Sequence, residues 1–334
     1  MKRLAGSFGY RVYGLLLNTN VEIPGLQSCM TAGEEGADIA VTMGAFPEEI
    51  AGIIDSPAKR YYHEAGYNNT DPPHLIVNTL ADGKYFHFRY GVGVQFVCDR
   101  QATVVWGWWW EHLSLTDASL YLLGPIIGFL LRLRGITCLH ASSVIVDGLA
   151  LAIAGPSGTG KSSLAAAFAA AGYPILTDDV LALAFDQELL YASPGYARLR
   201  LLPHSFQNIA GLPENLPALA PNWDKCYLDL TAAPYSFKYE AVPLGVVYLL
   251  DWEHTNRATP EIVPLKPATA VPYLAANTYR NELLDSSMRT EEFKFLSRVA
   301  SKIPVRKVQP LDDILELLGL IELIQNDFRT YRSP

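Results

Sequence analysis

Apolar and polar residues alternate with a period of two through the first third of the chain. The segments Tyr10–Leu17, Asp38–Thr42, Leu75–Asn78, Tyr85–Tyr90 and Thr103–Trp106 carry β-branched or aromatic residues in this pattern and predict strands. Turn-forming clusters, NNTDPP (Asn68–Pro73) and ADG (Ala81–Gly83), separate them. From Thr116 the period becomes helical and holds to about Arg134, where Gly135 stops it. The most apolar stretch, Leu120–Leu131, is shorter than the about 20 residues a bilayer span needs. It also contains Gly124, Pro125 and Gly128, so a buried helix is expected. The change of period places a domain boundary near residue 115. Residues 1–115 then form a β-rich N-terminal domain and residues 116–334 a second domain.

The second domain reads as α/β. Cys138–Val146 and Leu149–Ala154 look like strands joined by a hairpin turn at Asp147-Gly148. A glycine-rich loop follows, then a helix from Lys161 to about Ala171 stopped by Gly172, then a short strand at Tyr173–Thr177. That order suits a parallel or mixed nucleotide-binding sheet. Further helices are expected at Ala268–Asn277, Glu291–Lys302 and Asp312–Ile324.

Composition narrows the function classes. The 334 residues are 50% hydrophobic and 18% charged, which suits two folded domains and excludes a mostly disordered chain. A formal net charge of −8 with no basic block argues against nucleic acid as a partner. Cys29, Cys98, Cys138 and Cys226 are scattered and show neither zinc nor disulfide spacing, so a reducing, cytoplasmic setting is expected. Lys2 and Arg3 are followed by Gly6, Ser7, Gly9, Tyr10 and Arg11 rather than an apolar run, so no signal peptide and no membrane association are expected. The run Trp106-Gly-Trp-Trp-Trp110 could dock a peptide, but core or inter-domain packing is the commoner use.

The chemistry concentrates after the hairpin. Gly155-Pro-Ser157-Gly158-Thr159-Gly160-Lys161-Ser162 fits the phosphate-loop pattern G-x-x-x-x-G-K-[ST], with a strand before it and an Ala-rich helix after it. Gly155, Gly158 and Gly160 allow backbone angles and close approaches that side chains would block. Successive N–H groups then point into one anion-binding concavity, and the helix adds its positive end. Lys161 can reach β- and γ-phosphates, and the Ser162 hydroxyl can ligate Mg²⁺. A nucleoside triphosphate with Mg²⁺ is therefore the expected ligand.

The next strand ends in Asp178-Asp179, where metal and nucleophile must lie. One carboxylate suffices for the metal, and a second can accept a proton from an incoming hydroxyl. Either could instead cap a turn. His140 precedes the hairpin, which can fold it back towards Lys161. There it could orient an aspartate or bind a phosphate oxygen, or it could be an ordinary buried histidine.

Residues 138–183 resemble the HPr kinase/phosphorylase family. The pattern is LHASSV with His140, the hairpin, GPSGTGKSSLAAAFAAAGYPIL, then Asp178-Asp179, in the family's order and near its spacing. The resemblance implies an ATP-dependent serine kinase whose catalytic domain is related to phosphoenolpyruvate carboxykinase. It implies that Gly155, Ser157, Gly158, Thr159, Gly160, Lys161, Ser162 and Ser163 surround the phosphates. It also implies that Asp178 takes the substrate serine's proton, with His140 and Asp179 beside it and Ser162 and Asp179 on the metal. Two departures stand out. Ser163 replaces a glutamate, and Tyr191–Leu202 offers Arg198 and Arg200 but lacks the family's Glu-x-Arg-Gly stretch. A second metal ligand and a reverse phosphorolysis are therefore not implied. The segment YRVYGLLLNTNVEIPGL and the chain length are similar to the subgroup of lasso-peptide precursor kinases, which implies a C-terminal serine of a precursor peptide as acceptor. Alternatives are a kinase of HPr or of a small metabolite, and a non-catalytic nucleotide-binding assembly protein. Family members are often oligomeric, so the resemblance allows a homo-oligomer.

Weaker candidates are Lys225, which could touch a phosphate, and Asp251, which ends the apolar run Val246–Leu250 as a metal-binding aspartate would. Arg257, Arg280, Arg289 and Arg298 are the C-terminal cations, each more in keeping with a surface role.

Overall fold

Tyr13 and Gly14 set the first turn among the described residues, with φ of 52° and 79°. They divide the predicted strand Tyr10–Leu17 into a hairpin of β1 (Phe8–Val12) and β2 (Leu15–Thr19). The computed structural model describes residues 7–31, 36–65, 73–207, 209–221, 223–251, 260–309 and 317–332. The chain divides into two compact units, Met1–Gly135 and Ile136–Pro334.

In the first unit β3 (Ile39–Met43) is followed by a short helix, α1 (Glu48–Ile54). Five further strands follow, β4 (Lys59–Glu64), β5 (Leu75–Leu80), β6 (Tyr85–Tyr90), β7 (Val94–Asp99) and β8 (Val104–Trp109). They form one sheet in the order β1-β2-β3-β8-β7-β6-β5-β4. β3 runs parallel to β2 and β8, and the other pairs are antiparallel. The sequence pattern did not predict β4, whose Lys-Arg-Tyr-Tyr-His-Glu run is polar because it is an edge strand. Most of the Asn68–Pro73 cluster lies outside the described residues, whereas Ala81, Asp82 and Gly83 form a turn at positive φ.

The helical run comprises α2 (Leu115–Tyr121), a π turn at Leu122–Ile126 and α3 (Ile127–Leu133). Ser114 and Asp117 form a capping box: the Asp117 N–H donates to Ser114 Oγ at 3.2 Å and the Ser114 N–H to Asp117 Oδ2 at 2.9 Å. The π turn falls at Pro125, which has no N–H to give. By length and composition alone Leu115–Leu133 could cross a membrane, but 78% of its most apolar window is buried. Phe129 meets Phe86 and Phe88 edge-on, with centroids 5.0 and 5.1 Å apart. Arg134 lies 3.2 Å from Asp38 of the same unit. The helix thus belongs to the first sheet. The boundary expected near residue 115 moves to Gly135, because the change of period marks a new element rather than a new domain. Phe129→Ala is expected to cost about 3–5 kcal/mol through the cavity it leaves. Denaturant unfolding measures this, and a loss below about 1 kcal/mol would contradict a core role.

Of the tryptophans, Trp106 lies half-buried with its ring tilted 6.3 Å from Tyr85. Trp110 is 48% exposed and packs over Gly93, where an added Cβ would meet its ring at 2.4 Å.

In the second unit β9 (Thr137–Val146) and β10 (Leu149–Ala154) form the predicted hairpin, with Asp147 and Gly148 at φ 49° and 76°. Then follow α4 (Lys161–Ala170), β11 (Ile175–Thr177), β12 (Val180–Asp186), β13 (Leu189–Ala192), β14 (Arg198–Leu201), the single-turn α5 (Pro203–Phe206) and β15 (Cys226–Asp229). The remainder is β16 (Val242–Leu250), β17 (Glu261–Pro264), α6 (Pro267–Ala276), α7 (Ser286–Lys302), β18 (Val305–Gln309) and α8 (Leu317–Arg332). α7 starts before the predicted Glu291 because Asp285 caps it, accepting from the Met288 N–H at 2.9 Å. Of the helix expected at Asp312–Ile324, the part before Leu317 lies outside the described residues.

The sheet is mixed. β10 pairs antiparallel with β9 and parallel with β16, which in turn runs parallel to β18. β12 and β13 bridge β9 to β16 by antiparallel pairs, so β9 and β16 each serve two layers. Alternation assigns the faces. Leu151, Ile153, Val246 and Tyr248 pack with Phe168 of α4 and Phe328 of α8. Ala150, Ala152, Val247 and Leu249 pack with Leu274 of α6 and Leu296 of α7. Because β10, β16 and β18 are parallel, their carboxyl ends share one edge, where ligands bind in such sheets. The glycine-rich loop leaves from that edge.

Candidate phosphate-binding site

The loop runs from Gly155, after β10, to Gly160, before α4. Gly158 and Gly160 adopt φ of 84° and 81°, the left-handed region that glycine enters freely. At Gly155 space is the constraint, since an added Cβ would lie 2.9 Å from the Leu250 carbonyl oxygen. Thr159 is buried and its hydroxyl donates to the Pro156 carbonyl at 2.9 Å, closing the loop on itself. Ser157 is exposed, and Ser163 is half-buried on α4. The first N–H groups of α4 lack intrahelical acceptors, as at any helix start.

Lys161 is only 6% exposed, and its Nζ donates to the carbonyls of Gly155 and Pro156, each at 2.8 Å. Burial lowers its pKa, Asp179 and Asp178 oppose that, and Lys225 pushes it further down.

Asp178, 5% exposed, is tied on both oxygens. Oδ1 accepts from Ser142 Oγ at 2.6 Å and Ser162 Oγ at 2.8 Å, and Oδ2 accepts from the Arg200 N–H at 2.9 Å. A carboxylate offers about four lone-pair positions, so one remains. The carboxylate bonded to Ser162 is Asp178 rather than Asp179, the aspartate expected beside it on the metal. At Asp179 the chain turns through φ 71° between β11 and β12, and the two neighbouring side chains reach different partners.

Asp179 meets His140 and two further groups. Its Oδ1 lies 3.2 Å from His140 Nε2. Its Oδ2 accepts from the Tyr279 hydroxyl at 3.1 Å and lies 3.7 Å from the Arg200 guanidinium. His140 reaches this place because it sits opposite Val180 in the β9–β12 pair. Burial alone would raise the Asp179 pKa. The His140 hydrogen bond and the positive charge of Arg200, with Lys225 beyond, outweigh it and hold the carboxyl well below the usual range. An unfolded aspartate titrates at about 3.9 and the folded one lower, so this contribution to stability is complete above about pH 4 and is lost as pH falls below it. Wild-type stability should therefore fall more steeply between about pH 4 and pH 2 than that of Asp179→Asn. Urea titrations at several pH values check this, and equal slopes would contradict it.

The sequence pattern passed over Ser142 and Tyr279. Ser142 was findable, since strand alternation puts it on the same face as His140. Tyr279 follows α6 and is brought in by its N–H, which donates to the Cys138 carbonyl of β9 at 2.8 Å. Arg200, known only as a stray cation, supplies both a backbone donor and a charge. Lys225 bears electrostatically on Lys161 and Asp179. Asp251 is taken by Lys307 at 2.5 Å. Arg280 pairs with Glu282, Arg289 donates to the carbonyls of Leu284 and Asn281, and Arg298 joins Glu188; Arg257 lies outside the described residues.

Among the described residues, no group of three or more His, Cys, Asp or Glu side chains forms a metal cage. Mg²⁺ bound with nucleotide phosphates needs only one or two carboxylates beside a hydroxyl. The Ser162 hydroxyl, with the neighbouring Asp178 and Asp179 carboxylates, fits that requirement.

No protein-family model matches this sequence, and no curated protein matches it. Among solved structures it is similar to the HPr(Ser) kinase/phosphatase from Coxiella burnetii. That match has 14% identity and a TM-score of 0.34, over 59% of this chain and 99% of that one.

Proposed function

We propose that this protein is an ATP- and Mg²⁺-dependent serine kinase acting on a peptide or small protein. The observation that supports this best is the Ser162–Asp178 hydrogen bond at 2.8 Å, at the mouth of a loop closed on a buried lysine. That is the arrangement phosphoryl transfer uses: amides and an ammonium for the phosphates, a hydroxyl for the metal and a carboxylate alongside. Bound Mg²⁺ would neutralise charge on the β- and γ-phosphate oxygens. The Ser162 hydroxyl would hold it, and Asp178 would act through its hydrogen bond to that hydroxyl, keeping its free lone pair for the proton.

In this reading the acceptor hydroxyl attacks the γ-phosphorus in line. The bond from that phosphorus to the bridging oxygen breaks, ADP leaves, and the hydroxyl proton passes to the remaining lone pair on Asp178 Oδ2. The buried Lys161 exchanges its two loop carbonyls for phosphate oxygens. Positioning and fixed charge supply most of the acceleration. A C-terminal serine of a lasso-type precursor peptide is the acceptor we favour, on the resemblance of the N-terminal segment. Incubating the protein with Mg·ATP and candidate peptides, with HPr and small hydroxylated metabolites as rivals, tests this by mass spectrometry. A gain of one phosphate on a peptide serine supports it. Tight ATP binding with no phosphorylated acceptor would point instead to a nucleotide-dependent assembly protein.

A further inference from the structure

We infer that Tyr279 is a positioning residue, which fixes the Asp179 carboxylate and through it the ring of His140; this rests on the kinase reading for its effect on rate. Asp179 turns the chain at φ 71°, and its carboxylate is met by His140, Tyr279 and Arg200. Tyr279 touches the Asp179–His140 pair at two points. Its hydroxyl donates to Asp179 Oδ2 at 3.1 Å, and its ring meets His140 edge-on with centroids 5.7 Å apart at 82°. With Oδ2 engaged by Tyr279 and faced by Arg200, Oδ1 is left to receive His140 Nε2 at 3.2 Å.

The consequence is a fixed tautomer. In a neutral imidazole one nitrogen carries the proton and the other accepts. The Asp179 partner assigns the proton to Nε2 and leaves Nδ1 as the acceptor. The His140 side chain is 28% exposed while Tyr279 is buried, so the histidine can meet an incoming group and the tyrosine acts from behind it. Tyr279 is itself anchored to the same strand as His140. Its N–H reaches the Cys138 carbonyl, and the His140 N–H reaches the Asn277 carbonyl, both at 2.8 Å.

The test is Tyr279→Phe, which keeps the ring against His140 and removes only the hydroxyl. Expected are a fall in kcat of about tenfold to a hundredfold, the loss of one hydrogen bond to a charged partner, and an unchanged KM for ATP. In an Asp179→Asn background the same substitution should cost nothing further, because its effect runs through that carboxylate. An additive loss, or a rise in KM for ATP alone, would overturn the assignment. A second readout needs no turnover. Nitrogen-15 spectra of labelled protein should show the His140 proton on Nε2 in the wild type and a mixture of tautomers in Tyr279→Phe. A single tautomer in both would overturn the proposal. If the tautomer changes while no acceptor is ever phosphorylated, the positioning role stands and the kinase reading fails.

Discussion

We expect Lys161→Ala to lower phosphate transfer at least about 10³-fold, the scale of losing a fixed charge that faces developing negative charge. Lys161 is 6% exposed and its Nζ is held by the Gly155 and Pro156 carbonyls, so the ammonium already occupies the base of the loop. A nucleotide need only exchange those two carbonyls for phosphate oxygens. Alanine removes the charge and also leaves both carbonyls without their donor, at a cost of about 1–3 kcal/mol for each one buried. Nucleotide affinity should fall with turnover, and the loop should loosen. Steady-state kinetics and nucleotide titration of the variant check this. Turnover within about tenfold of wild type would contradict the clamp.

Asp178→Asn should lower kcat by about 10²–10⁴-fold, the usual worth of a general base, with nucleotide affinity changed only a few-fold. Asparagine keeps the size of the side chain. Its carbonyl can still accept from the Arg200 N–H, while its amide group turns towards Ser142 and Ser162, whose hydroxyls can rotate to accept. The loop is thus preserved while the proton acceptor and one negative charge are lost. Kinetics show the split as a fall in kcat at nearly constant KM for ATP. Near-normal kcat would move the base elsewhere, and a matching rise in KM would reduce Asp178 to a binding role.

The parts legible in the sequence were the local ones. The glycine-rich loop between a strand and a helix, the Asp147-Gly148 hairpin and the order His140, Lys161, Asp178-Asp179 each depend on neighbours in the chain, so pattern and turn chemistry suffice. The different partners taken by the two aspartates were not legible. They depend on one backbone angle at Asp179, which nothing in the adjacent residues dictates. Tyr279 was invisible for another reason: it reaches Asp179 across 100 positions of chain through the strand it pairs with, and one tyrosine after a helix carries no signal. The first boundary was misplaced because Leu115–Leu133 is helical by period but packs through Phe129 onto Phe86 and Phe88. β4 escaped notice because an edge strand needs no apolar face on its open side.

Calorimetric titration of the protein with a non-hydrolysable ATP analogue, with and without Mg²⁺, tests the central reading most directly. One site per chain is expected, tightened by Mg²⁺, weakened severely in Lys161→Ala and largely retained in Asp178→Asn. No heat of binding in the wild type, or equal binding by Lys161→Ala, would contradict it.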